Sequence, residues 1–125
     1  MGLIIKDIEL IGDKGKRKLE ALFDTGASRS FIKRRIAKEI ATVIKLPHLY
    51  TFTLGDGAGK IESQEEVVLD MKIKGYSLLA HFIVIDRLAR DFIVGADTLQ
   101  IWKIKLDPEN EDVLIDKKAL EMILV

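Results

Sequence analysis

Residues 21–28 read Ala21-Leu22-Phe23-Asp24-Thr25-Gly26-Ala27-Ser28. An apolar run, with the spacing of a buried strand, ends in a carboxylate, a small hydroxyl and a glycine. Glycine permits close backbone approach, and a threonine hydroxyl can fasten a loop to neighbouring backbone. Asp24 is therefore expected at the end of a rigid strand, oriented and partly withdrawn from water. Such a setting raises a carboxyl pKa and suits it to acid–base chemistry. The tripeptide Asp-Thr-Gly is a weak signal alone, occurring by chance in roughly 2% of chains this long. Its context is what carries information.

Working outward, short strands and turns predominate. Leu3 to Ile11 and Lys18 to Phe23 read as strands joined by Gly12-Asp13-Lys14-Gly15, forming a hairpin. Downstream, Phe31, Ile32, Ile36, Ile40, Val43 and Ile44 recur at steps of three and four, with Lys33, Arg34, Lys38 and Glu39 opposite. That spacing predicts an amphipathic helix over 31–44, capped by Ser28 or Ser30 and ended before Pro47. Strands resume at Leu49 to Leu54 and from Lys60, on either side of the glycine-rich Gly55-Asp56-Gly57-Ala58-Gly59. A second hairpin is expected from Val67 to Lys74 and Leu78 to Ile85 around Gly75-Tyr76. Phe92-Ile93-Val94 reads as a short buried strand ending at Gly95, with a helical turn over Asp97 to Ile101. Trp102 to Leu106 pairs with Val113 to Ile115, and Ala119 to Val125 fits a strand or a short helix. No linker or repeat interrupts the pattern, so residues 1–125 read as one mainly β domain.

Composition removes several function classes. The chain has 125 residues, 20 basic and 20 acidic side chains, no cysteine and 48% apolar residues. Its size suits one domain with a true core. Zero net charge argues against a nucleic-acid or membrane-surface partner, and the basic run Lys14 to Lys18 reads as a solvated turn. Without cysteine there is no disulfide and no thiolate chemistry. With only His48 and His81, neither near a nucleophile or ligand set, no metal or cofactor is expected. The longest apolar runs are too short to span a membrane, and Lys6 and Asp7 interrupt the N-terminal apolar stretch, so a cytoplasmic location is expected. Phosphate-loop, serine-hydrolase and zincin motifs do not occur.

A second element raises the value of the first. Ile93-Val94-Gly95-Ala96-Asp97-Thr98-Leu99 is an apolar segment ending in glycine at the start of a helical turn. With Asp24-Thr25-Gly26-Ala27 and the glycine-rich Gly55 to Gly59 between them, the chain resembles the retropepsin-like aspartic proteases over about residues 18–106. The long 31–44 segment is more similar to the cellular and retrotransposon-type members, including Ddi1-type domains, than to the retroviral enzymes. The resemblance implies a small closed β-barrel with a flap hairpin and one or two helices, one lobe per chain. It implies that Asp24 is catalytic, that Thr25, Gly26 and Ala27 form the active-site loop, and that Val94 and Gly95 support it. Gly55, Asp56, Gly57, Ala58 and Gly59 correspond to the substrate-binding flap.

These enzymes use two carboxylates sharing a proton and a water molecule. Only one Asp-Thr-Gly is present: Asp56-Gly57 lacks the hydroxyl residue, and Asp97-Thr98 is not followed by glycine. The expected active unit is therefore a homodimer acting on a peptide or protein substrate, with Asp24 from each subunit at the two-fold axis. The alternative is a retropepsin-like module that binds peptides or dimerises with little turnover.

Overall fold

The computed structural model describes residues 3–53 and 59–124. Its elements run β1 (Leu3–Ile11), β2 (Lys16–Asp24), β3 (Phe31–Lys33), α1 (Arg34–Ile40), β4 (Ile44–Thr53), β5 (Lys60–Ile73), β6 (Tyr76–Ile85), β7 (Phe92–Val94), α2 (Ala96–Ile101), β8 (Ile104–Asp107), β9 (Asp112–Ile115) and α3 (Lys117–Leu124). Six strands close a barrel in the order β1-β2-β7-β3-β6-β5, the ring completed by β5 pairing with β1 at Glu9 to Ile11. Among the described residues, strand β4 pairs only with β5 and projects from the ring as a hairpin with the first half of that long strand. The β8–β9 ribbon forms a separate two-stranded sheet.

Alternation explains the walls. Along β1 and β2, Ile4, Ile8, Leu10, Leu19, Ala21 and Phe23 point inward, and Asp7, Glu9, Lys18 and Glu20 are among the residues that alternate with them, beside the apolar Ile5 and Leu22. Strands β6 and β7 are apolar on both faces near their ends, because helices and the projecting hairpin cover their outer side. The barrel interior is joined by Leu99 of α2, Val113 of β9 and Leu120 of α3. A smaller apolar cluster of Phe31, Ile83 and Ile85 lies outside the ring, covered by Leu46, Phe52 and Ile61 of the β4–β5 hairpin. The β5–β6 turn is tight: Lys74 and Gly75 take φ of 50° and 86°, the left-handed pair that a two-residue hairpin turn requires.

The helix predicted over 31–44 is shorter than its periodicity suggested. Phe31–Lys33 is a strand, held between β6 in parallel and β7 in antiparallel pairing. Ile44 opens β4, and Pro47 lies inside that strand at an irregularity in the register between Lys45 and Tyr50. Full burial of a Phe or Ile side chain is worth about 2 kcal/mol, against a few tenths for helix propensity at one residue, so the ladder wins. Neither Ser28 nor Ser30 caps α1. Its N-cap is Lys33, with no side-chain cap, and Ser30 is fully buried elsewhere. The C-terminal segment resolves to a helix, with Leu120 in the core.

Two carboxylates tie the periphery together and set an acid limit on stability. Asp112 accepts from Lys74 Nζ at 2.9 Å, lies 3.4 Å from Lys6 Nζ, and accepts the Val113 N–H, which together hold its carboxyl below the ordinary 3.8. The Thr42 hydroxyl and backbone N–H do the same for Asp13. A carboxyl whose folded pKa is depressed contributes stability above the unfolded pKa and loses it as pH falls toward the folded value. Asp112→Asn should therefore lower the melting temperature at pH 6. That deficit should shrink as pH falls below about 4, through the depressed folded value. Melts across that range check it; a deficit that persists unchanged at pH 2 would contradict the linkage.

Candidate active site

Asp24 is the last residue of β2, half-buried where the strand leaves the barrel. Parallel pairing with β7 sets Ala21 beside Phe92, Leu22 beside Ile93 and Phe23 beside Val94. The strands leave the sheet together, so the Asp24 loop and Gly95 emerge side by side. Inside the loop, the Gly26 N–H donates to Asp24 Oδ1 at 2.8 Å, and the Ala27 N–H donates to the Asp24 carbonyl at 3.2 Å. One carboxylate oxygen is thus oriented by backbone. Thr25 and Gly26 are exposed, whereas Ala27 is buried.

The support beneath this loop comes from residues 95–98. The Ala96 N–H donates to the Ala27 carbonyl at 2.7 Å. The Gly95 N–H donates to Ser30 Oγ at 2.9 Å; that hydroxyl lies 2.8 Å from both Asp97 Oδ1 and Thr98 Oγ1. Asp97 Oδ1 also accepts the Thr98 N–H at 2.7 Å, and Asp97 Oδ2 faces Arg29 Nε at 3.4 Å. Gly95 admits no side chain: a Cβ there would stand 2.2 Å from the Arg29 carbonyl oxygen and 2.8 Å from that of Ala27. Val94 is fully buried at the end of β7. The loop and its support are therefore one hydrogen-bonded unit, and the site residues expected at 24–27 and 94–95 stand together.

Ser30, Asp97 and Thr98 were absent from the sequence-derived site. Asp97 and Thr98 lie inside the second motif, where only Val94 and Gly95 are read as site residues, and Ser30 is read, with Ser28, as a candidate helix cap. Of the flap residues, Gly59 is described and exposed, whereas Gly55, Asp56, Gly57 and Ala58 lie outside the described residues.

Two hollows adjoin the loop. The larger, about 700 Å³, is an open groove bordered by Thr25, by Ala96, Leu99 and Gln100 of α2, and by the edge of β8. The smaller, about 220 Å³, lies against the β4–β5 hairpin and includes Arg29. His81 pairs with Glu66, with Nδ1 and Oε1 2.7 Å apart, a partner the sequence did not reveal. His48 lies in β4, its ring centroid 6.1 Å from that of Tyr50. Trp102 is half-buried and donates Nε1–H to the Leu79 carbonyl. Among the described residues, no cluster of His, Asp and Glu is arranged to hold a metal, and no helix is long and apolar enough to cross a membrane. Several basic side chains are engaged by carboxylates: Arg17 by Glu39, Lys33 by Asp91, and Arg34 by Glu65 and Asp86.

Comparison with known proteins follows the same lines. The family model for the retroviral aspartyl proteases matches residues 16–121. The retroviral protease-like domain of Ddi1 from Leishmania major superposes with a TM-score of 0.66 at 19% identity, covering 94% of this chain and 90% of that one. EIAV protease, solved with the inhibitor HBY-793, gives 0.58 at 22% identity over 85% and 93%. A protein of unknown function from Legionella pneumophila, Lpg0085, gives 0.54 at 16% over 85% and 91%. No curated protein sequence matches.

Proposed function

The chain belongs to the retroviral aspartyl protease family, and from that premise we propose that it is an aspartic endopeptidase whose active site is completed by a second copy. The observation carrying this reading is the Asp24 loop itself. An intact Asp-Thr-Gly stands at the end of a buried strand, clamped from below by Gly95 to Thr98, and it supplies a single carboxylate.

Two Asp24 side chains brought to about 3 Å cannot both ionise cheaply, so the pair holds one proton. The ionised carboxylate takes a proton from water as the oxygen attacks the scissile carbonyl carbon. The protonated one gives its proton to the carbonyl oxygen, producing a neutral gem-diol. Return of a proton to the amide nitrogen lets the C–N bond break, releasing an amine and a carboxylic acid, with no covalent enzyme intermediate. The β4–β5 hairpin serves as the flap. It closes over an extended peptide that pairs through its backbone.

The groove beside Thr25 is where the second copy docks, because a two-fold axis close to Asp24 must also pass close to its neighbour in the loop. Strand β8 borders that groove and pairs with β9 on one side only, among the described residues. Its sequence Ile104-Lys105-Leu106-Asp107 is self-complementary about Leu106. Antiparallel pairing centred there sets Lys105 against the partner subunit's Asp107, and the reverse. Since the chain has no cysteine, Leu106→Cys should cross-link into a disulfide dimer under mild oxidation, while Lys16→Cys on the distant β1–β2 hairpin should not. Equal cross-linking of the two variants would exclude this contact.

Cleavage of a peptide library between pH 3 and 7 tests the function. The expected result is endoproteolysis whose specific activity falls on dilution. Full activity in a monomer at nanomolar concentration would refute the shared site, and inertness across the range would refute the enzyme.

A further inference from the structure

The 220 Å³ cavity against the β4–β5 hairpin is built with charge of both signs. Its apolar wall comes from Leu46, Tyr50 and Phe52 of β4 and from Ile83 of β6. Glu66 of β5 is the direct cross-strand partner of Ile83, so the two share a face of the sheet. Arg29, five residues beyond Asp24, faces the same cavity with its guanidinium 5.7 Å from the centroid of the Phe52 ring. Phe52 is itself braced edge-on against Phe31 at 5.6 Å. The cavity is thus an apolar slot with a cationic donor and an anionic acceptor in its lining.

Both charged groups are held in place by partners that leave them capacity. Asp97 faces Arg29 through Nε, while its other oxygen accepts from Ser30 and Thr98. The guanidinium has five N–H donors, and those on the two Nη atoms remain to serve the cavity. Glu66 meets His81 Nδ1 through Oε1. Its side chain is only 18% exposed, and a carboxylate offers about four lone-pair positions, so it can accept further bonds.

We propose that this cavity is a specificity subsite that takes a primary carboxamide side chain, glutamine or asparagine, of the bound peptide. The inference rests on the peptidase reading given above and adds the substrate class. Its reasoning is one of elimination by charge. A glutamate side chain would pair with Arg29 but bring a second carboxylate to Glu66. A lysine would pair with Glu66 but meet the guanidinium. A leucine would fill the slot but offer nothing to the remaining Arg29 Nη donors or the remaining Glu66 lone pairs, so it forgoes both charge-assisted bonds. A carboxamide offers its carbonyl to Arg29 and its NH2 to Glu66, and its methylene stem lies along Leu46, Tyr50 and Phe52. Sites built to hydrogen-bond a substrate group reject analogues that lack it more sharply than apolar pockets discriminate by size.

The test is position-by-position profiling of cleaved peptides by wild-type protein, Glu66→Gln and Arg29→Gln, at a concentration where the protein is dimeric. The wild type should show one position favouring Gln or Asn over Leu, Glu and Lys by about tenfold or more in kcat/KM. Glu66→Gln should shift that position toward Glu, and Arg29→Gln should shift it toward Lys. Opposite shifts from two neutralising substitutions are not produced by general loosening of the hairpin. Cleavage without a carboxamide-selective position, or with one that neither variant moves, overturns the subsite and leaves the peptidase intact. Absence of any cleavage overturns the peptidase. In that event, fluorescence polarisation of labelled peptides binding to Asp24→Asn still decides the subsite, because binding needs no chemistry. Equal affinity for Gln and Leu peptides would overturn it.

Discussion

Asp24→Asn should lower kcat/KM for peptide cleavage by at least ~10³-fold while leaving the melting temperature within a few degrees of wild type. The size follows from what is removed. In the proposed two-copy site both carboxylates would become amides, so neither could take the proton from water and neither could give one to the carbonyl; positioned acid–base groups are each worth about 10²–10⁴. The fold should survive because the amide keeps an oxygen where Asp24 Oδ1 accepts the Gly26 N–H at 2.8 Å. Mixing sharpens the result. If two chains make one site, an equimolar exchange of wild type with Asp24→Asn leaves only about a quarter of the assemblies with both carboxylates. Activity should follow the square of the wild-type fraction. A linear dependence, or a variant as active as wild type, would remove Asp24 from the chemistry.

The second large effect lies under the loop. Gly95→Ala should destabilise the protein by about 3 kcal/mol or more, roughly 10 °C in melting temperature for a chain of this size. The added methyl would stand 2.2 Å from the Arg29 carbonyl oxygen and 2.6 Å from its carbonyl carbon. Those atoms are backbone, so the collision cannot be relieved by a side-chain rotation. β7 lies between β2 and β3, and β7 cannot retreat without breaking either ladder. Whatever shifts also strains the 2.7 Å bond from the Ala96 N–H to the Ala27 carbonyl. Activity should therefore fall together with stability. Gly15→Ala is the control: a Cβ at Gly15 meets nothing within 4 Å, and its effect should stay within about 0.5 kcal/mol. Thermal melts of both variants decide the point, and similar melting temperatures would show that the clamp at Gly95 is slack.

Local pattern told the truth wherever a residue's neighbours in sequence were also its neighbours in space. The β1–β2 and β5–β6 hairpins were legible because alternation and a two- to four-residue turn suffice to specify them. Residues 31–44 misled because Phe31 and Ile32 satisfy a helical period and a strand equally well. The choice was made by β6 and β7, fifty and sixty residues later. Ser30 failed for the same reason. A serine ahead of a predicted helix is a reasonable cap, yet its hydroxyl is bound by Gly95, Asp97 and Thr98, some 65 to 68 residues away.

By itself the sequence determined the chemistry available: one Asp-Thr-Gly, an apolar segment ending in Gly95, and no thiol. Those are properties of residue identity and short spacing, which folding does not alter. Only the tertiary structure decided how that chemistry is held and what surrounds it. Parallel pairing of β2 with β7 places Gly95 against the Asp24 loop, and the β3–β6–β5 ladder, through Ile83, brings Arg29 and Glu66 to one cavity. The physical reason is that parallel pairing and barrel closure join segments far apart in the chain, at an entropic cost recovered only through the burial they share. No window of sequence contains both sides of such a contact.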